Sequence, residues 1–329
     1  MNDSIAPFRS LTAAVVMAGL LVIGLAGCSG GSGGDVNMVT VNWIEGMALT
    51  YLQEQLLEDS LNMDVDVREV SGGGIAFKSV ADGDRDYFNE AWLPTTHKEP
   101  WNNTKANAQK LGYTYKGTSV GLTVPAYMDI TSVTELPEFR EALNGEINGI
   151  ESGAAVNTQT RQILENNDIE GFEVVESSGP ATWQALENAI SNEEPIVVTG
   201  WYPHWKWGTF DLKYLEGAQT GQTPVFGAPE DIFKIVDNQF IDEFPKEAVC
   251  LLKHMEVNDR QIESLMGTFR NRDGTSKEEA ATSWIENHPE DVAQWMNQAD
   301  SCAASDDPVE PLPDDATFSA EPDSANQDA

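Results

Sequence analysis

Positive charge is scarce in this chain: 19 Lys and Arg stand against 54 Asp and Glu in 329 residues, a formal net charge of −35. So few cations exclude a nucleic-acid binder of the usual basic kind, because such a surface does not attract phosphate backbones. Histidine is equally sparse. His97, His204, His254 and His288 make no HExxH pair and the three cysteines make no CxxC, so no metal site is expected. GxSxG, a Walker A loop and GxGxxG are missing as well, and Gly72–Gly74 reads as a turn without a phosphate signature. What is present is a real core composition, 40% hydrophobic with nine Trp, twelve Phe and seven Tyr, which separates the chain from acidic disordered proteins. The acids are also not one block. Residues 303–329 hold eight of them and no Lys or Arg, so the remainder still carries −27 along its length.

The single long apolar run, Leu11–Gly27, follows Arg9 and is short for a membrane span, so residues 1–27 read as a secretory signal peptide. Leu25-Ala26-Gly27-Cys28 looks like a bacterial lipobox, which makes Cys28 the lipidated first residue of the mature chain. Residues 28–35, rich in Gly and Ser, then form a flexible tether. Cys250 and Cys302 are left, either as a disulfide formed after export or as two buried thiols. Residues 303–329, acidic and Pro-rich from Asp306 onward, are expected to be a disordered solvated tail.

Between these ends short apolar runs alternate with amphipathic stretches, the pattern of an α/β protein. Strands are expected at Met38–Trp43, Val65–Val70, Gly117–Val124, Ile147–Ile150, Glu173–Val175 and Pro195–Thr199. Helices are expected at Met47–Leu61, Ile75–Val80, Ile130–Leu143, Thr158–Asn167 and Ala181–Ser191. After Gly227 the chain reads as mostly helical, over Pro229–Asn238, Glu243–His254, Asp259–Gly267, Ser276–Asn287 and Pro289–Asn297. Two α/β halves and a helical return make two lobes with a ligand cleft between them.

The aromatics say what such a cleft could hold. Trp92 lies where a strand-like stretch ends, and Trp201, Trp205 and Trp207 follow the strand PIVVTG. Rings at the C-terminal ends of strands in an open α/β sheet point into the ligand crevice. A quaternary ammonium has no N–H to donate, so indole faces recognise it through their quadrupole and accommodate its methyl groups.

At these residues the sequence resembles the substrate-binding lipoproteins of glycine betaine/proline betaine ABC importers. The shared blocks are Val41–Ala48, Ala91–Pro94 with Thr96–Lys98, Gly121–Pro125 with Tyr127–Asp129, Gly149–Ala154, and Val197–Trp205 with Asp211–Leu215. They follow the family's order over about residues 38–300. The resemblance implies the two-lobed periplasmic-binding-protein fold of type II, with lobe 1 at 36–127 plus 224–302 and lobe 2 at 128–223. It also implies that Trp92 and Trp201 are two walls of an aromatic cage. The backbone amides of Gly46 and Met47 would hold the ligand carboxylate, as a helix-opening loop does. His204 either hydrogen-bonds that carboxylate or merely packs. The third cage Trp is expected 45–55 residues beyond Trp201, where Lys253-His254-Met255-Glu256 stands instead. Trp205 or Trp207 swinging in, His254, Phe244, or an incomplete cage are the alternatives, and Glu256 would itself attract an ammonium.

The function so implied is that of a lipid-anchored protein, on the periplasmic or cell-surface side, that captures glycine betaine and delivers it to an ABC permease and its ATPase. No cofactor, metal or nucleic acid is involved. Choline, carnitine or proline betaine are alternative ligands, a signalling subunit is an alternative role, and a secreted hydrolase is the rival enzyme reading. The dispersed acidity is what a protein adapted to saline surroundings would carry.

Overall fold

The computed structural model describes residues 35–217 and 230–316. The signal peptide, Cys28 and all but the last residue of the tether lie outside them, as do residues 317–329. No described helix is long and apolar enough to cross a membrane.

Among the described residues nine strands build the frame. β1 (Val36–Val41), β2 (Val65–Val70) and β3 (Tyr87–Leu93) are parallel, with β1 between the other two. β4 (Ala108–Pro125) is three times as long as β1. β5 (Glu146–Asn148), β6 (Glu173–Val175) and β7 (Val198–Tyr202) form a second parallel group. β8 (Leu212–Tyr214) and β9 (Glu230–Asp237) complete the set. The order is β2-β1-β3-β9-β4-β7-β5-β6, with β8 on the side of β4. β4 pairs antiparallel with β9 through Ala108–Thr118 and with β7 through Ser119–Thr123. One strand therefore belongs to both half-sheets, and the change of partner falls at Thr118/Ser119, earlier than the lobe boundary expected at residue 127. Gly117, in the left-handed region at φ +79°, sits at that change.

The helices are α1 (Ile44–Leu61), α2 (Gly73–Ala81), α3 (Lys98–Thr104), α4 (Ala155–Asn166), α5 (Gly179–Ser191) and α6 (Lys206–Thr209). They continue with α7 (Phe240–Glu243), α8 (Lys246–His254), α9 (Asp259–Arg270), α10 (Lys277–Asn287) and α11 (Pro289–Ala304). α9 and α10 begin with capping boxes, Asn258 with Gln261 and Ser276 with Glu279. Both pack on α1, while α8 lies on α11. Cys250 and Cys302 join that last pair through a disulfide with Cα atoms 5.8 Å apart.

Two expectations are corrected. Pro229–Asn238 was expected to be helical, yet Glu230–Asp237 is β9, between β3 and β4. A central strand is covered on both faces, so its burial is nearly continuous and its sequence need not alternate. The polar exceptions have partners. Glu230 accepts from Thr96 N–H and Oγ1 at 2.9 and 2.5 Å, and the Lys234 ammonium bonds the Tyr113 carbonyl.

The second correction concerns the tail. α11 runs to Ala304, and residues 305–316 form a strap across the first part of β4. Leu312 N–H donates to the Lys110 carbonyl at 2.7 Å. Lys110 Nζ donates to the Asp314 carbonyl at 2.8 Å, Lys253 Nζ to that of Glu310 at 2.6 Å, and Lys246 Nζ to that of Asp307 at 3.0 Å. Asp314 also accepts from Lys105 and Trp101, each at 2.7 Å. Lysine ammonium groups that satisfy main-chain carbonyls hold a segment whose own apolar content is small.

Candidate ligand site

Three tryptophans stand at the C-terminal ends of three strands: Trp43 just past β1, Trp92 the penultimate residue of β3, and Trp201 near the end of β7. All three are buried. With His97, Val120, Ile150 and Glu45 they line a cavity of about 40 Å³, closed on the far side by the start of α4. That is well below the volume of sites for drug-sized ligands and suits a group of few heavy atoms. Both loops that follow the cage residues turn at a cis proline, Pro94 and Pro203.

The two half-sheets meet across this cavity through paired indole and carboxylate groups. Trp201 Nε1–H donates to Glu45 Oε1 at 2.5 Å, and Trp43 Nε1–H donates to Glu151 Oε1 at 2.5 Å. The second oxygen of Glu151 accepts from Gly179 N–H at the start of α5, at 3.2 Å. Each link joins α1 or its N-cap to the β5–β7 side of the molecule.

Around the cage the titratable groups are held away from their usual charges. Burial lowers His97 to about 4; its Nδ1 accepts from Trp92 N–H at 3.1 Å and its ring stacks on Trp43. It is a neutral wall. His204 is likewise held far below its ordinary value by burial, and its Nδ1 accepts from Lys206 N–H at 3.3 Å. The proton of the neutral ring then sits on Nε2, which is buried and has no partner. Burial raises Glu45 to about 7 and raises Glu90 further, the neighbouring Glu45 charge adding to the effect. Lys206 is pushed well below its ordinary value by burial, opposed by Glu45. Its ammonium lies over Trp183 and Trp201, 4.4 and 4.6 Å from the ring centroids, and donates to the Trp201 carbonyl at 3.1 Å.

A second, wider cavity of about 340 Å³ opens on the other side of Trp43 and Trp201. Met47, Trp183, His204, Trp205 and Arg270 line it, and Arg270 lies 3.8 Å over the Trp205 ring.

The expected site residues therefore divide. Trp92 and Trp201 meet in the inner cavity, while His204 and Trp205 belong to the outer one. Trp207 donates to the Trp201 carbonyl at 2.7 Å and packs on Tyr214. His254 is not near the cage: it lines a groove between α8 and α11 with Glu256, which pairs with Lys116 at 2.8 Å. Phe244 stacks on Phe240. The third wall is Trp43, in the block Val41–Ala48, and not a residue beyond Trp201. Its position after β1 is the same signal that singled out Trp92 and Trp201. Met47 N–H is spent inside α1, on the Trp43 carbonyl at 2.9 Å, so it does not serve as a carboxylate donor here. Gly46 has a steric reason to be glycine, since a Cβ there would lie 1.8 Å from a Glu90 oxygen.

Comparison with known proteins gives this arrangement a family. Residues 34–287 match the family described as the substrate binding domain of ABC-type glycine betaine transport system. The chain belongs to this family. Lactococcal OpuAC, solved in a closed form with glycine betaine, is 33% identical, superposes with a TM-score of 0.70, and is matched over 98% of its length by 79% of this chain. A choline binding protein of an ABC transporter, solved with choline, is 26% identical with a TM-score of 0.71, over 80% of this chain and 91% of its own. The glycine betaine/carnitine transport binding protein GbuC of Listeria monocytogenes is 32% identical over 162 residues, 49% of this chain. That match spans about half of the curated relative, 52% of its length. The fold is that of type II periplasmic binding proteins, a mixed sheet with flanking helices, and the role of the family is to bind substrate rather than to transform it.

Proposed function

We propose that this protein is exported, tethered through a lipid on Cys28, and captures a quaternary ammonium osmolyte for an ABC permease and its ATPase, with glycine betaine as the ligand. The observation that carries the reading is the inner cavity. Three indole faces and a neutral imidazole surround a space small enough for a trimethylammonium group, with the single carboxyl of Glu45 at its wall. Rings of this kind stabilise a desolvated methylated cation by about 2 kcal/mol. The unpartnered Nε2–H of His204 lies on the outer cavity beyond Trp201, so it is a donor for a betaine carboxylate only if the ligand extends from the cage past that ring. In this reading the regions expected as lobe 1 (36–127 plus 224–302) and lobe 2 (128–223) enclose the ligand, joined across the cleft by the Trp201–Glu45 and Trp43–Glu151 bonds.

Choline is the second reading, favoured by Glu45, because a buried carboxyl beside the cage compensates a ligand that carries net positive charge. Calorimetric titration of the chain starting at Ser29 with glycine betaine, choline and carnitine tests both. Glycine betaine should bind most tightly and Trp92→Ala should weaken it by at least tenfold. Tighter binding of choline would select the second reading, and no heat with any of the three would refute both.

A further inference from the structure

Two carboxyl groups lie one above the other beneath the ligand cavity with no cation directly bound to either. Glu45, in the first turn of α1, gives one oxygen to the Trp201 indole, while its other oxygen and both oxygens of Glu90 on β3 are buried without a hydrogen-bond partner. Both groups line a gap of about 10 Å³ behind α1, room for one water at most. Glu45 alone of the two also faces the ligand cavity.

We propose that capture of a quaternary ammonium expels one proton from the Glu45 carboxyl to the solvent, so that Glu45 is neutral in the empty site and anionic in the filled one. The proposal rests on the ligand reading above. Two ionised carboxylates cannot share a dry pocket, so in the empty protein Glu90 stays protonated, and Glu45, whose second oxygen is buried without a donor, bears a charge only at a desolvation cost. A methylated cation against the Trp43, Trp92 and Trp201 faces supplies the missing positive charge and shifts Glu45 to its ionised form.

The other titratable and charged groups facing Glu45 are accounted for element by element. Glu90 on β3 is the more strongly raised of the two acids and keeps its proton. His97, after β3, stays neutral near pH 7 in either state, with its pKa near 4. Glu151, before α4, is satisfied by the Trp43 indole and Gly179 N–H. The Lys206 ammonium on α6 is directed at the Trp201 carbonyl, and its charge favours ionised Glu45. The His204 ring faces the outer cavity, and the Tyr115 hydroxyl on β4 donates to Asp259.

The sign follows from linkage. With Glu45 near 7 in the empty protein and lower in the filled one, affinity is full above pH 7 and falls by up to about tenfold per unit below it. Proton release should be close to one per ligand near pH 6, about half at pH 7 and near zero at pH 8.5.

The experiment is calorimetric titration of the chain from Ser29 with choline and with glycine betaine, at pH 6 in phosphate and in bis-Tris and at pH 8.5 in Tris and in borate, for the wild type and Glu45→Gln. At pH 6 the wild-type heats should differ by about the difference between the ionisation enthalpies of the two buffers, and at pH 8.5 they should agree. Glu45→Gln should bind with buffer-independent heats at both pH values. Binding without buffer dependence at pH 6, or release that persists in Glu45→Gln, overturns the proposal while leaving the ligand reading intact. No heat with either ligand would remove that reading and the proposal with it. If Glu45→Gln does not bind, the wild-type pH series decides alone.

Discussion

On the proposed ligand reading, Trp43 contributes to binding in two ways that substitution can separate. Its face is one wall of the inner cavity, and its Nε1–H donates to Glu151 across the cleft. Loss of one aromatic face from a desolvated cation site costs about 2 kcal/mol. Loss of a hydrogen bond to a carboxylate costs about 1.5–3 kcal/mol. Trp43→Phe keeps a ring and removes only the donor, so affinity should fall by roughly tenfold to a hundredfold. Trp43→Ala removes both, and the fall should approach about three orders of magnitude. Calorimetric titration of wild type, Trp43→Phe and Trp43→Ala, with Trp92→Ala as a reference that loses a wall but no cross-cleft donor, reads the series. An alanine variant within threefold of wild type would refute the assignment of Trp43 to the cage. Equal losses for phenylalanine and alanine would refute the contribution of its face.

The remaining predictions concern the frame. The Cys250–Cys302 disulfide spans 52 residues, so reduction or Cys302→Ser should destabilise the protein by about 4 kcal/mol. A thermal midpoint that does not respond to reductant would count against it. Gly46→Ala drives a methyl into Glu90 and should lower stability by about 1–3 kcal/mol. Trimming the carboxyl in Gly46→Ala/Glu90→Ala should recover part of that in denaturant unfolding, and no recovery would place the clash elsewhere. Ending the chain at Ala304 removes the strap with the carbonyls that Lys110, Lys246 and Lys253 bond. The melting temperature should drop by several degrees, since three such bonds contribute about 1 kcal/mol each; an unchanged value would mean the strap is only laid on the surface.

Much of the fold was legible because most elements carry local signals. The period-2 alternation of Val65–Val70 and the Asn/Ser caps of α9 and α10 mark their boundaries within a few residues. β9 was not legible, because a strand whose neighbours cover both faces loses its alternation, and EDIFKIVD then reads equally well as a helix. The strap misled for a different reason. Its composition is that of a solvated segment, and what fixes it is a set of lysines far away in sequence, at 105, 110, 246 and 253. In the site, Trp92 and Trp201 were legible from their place after strands. Trp43 carries the same signal, whereas a third ring expected 45–55 residues beyond Trp201 points to the region of His254, which lies on another face. The carboxyl pair was invisible in a chain with 54 acids: only the close approach of Glu90 to Gly46 distinguishes these two from the rest.

The lining of the inner cavity also bears on which ions it turns away. A chain with a net charge of −35 gathers a dense layer of sodium and potassium at its surface. Such hard ions keep their water unless several oxygens replace it, and the cage offers indole faces, the side chains of Val120 and Ile150, and one carboxyl already engaged by Trp201. An inorganic cation entering it would lose its hydration and recover little. A quaternary nitrogen carrying three methyl groups has little hydration to lose. The site therefore selects its cation by dryness rather than by charge, and stays vacant for its ligand in a medium where other cations are far more abundant.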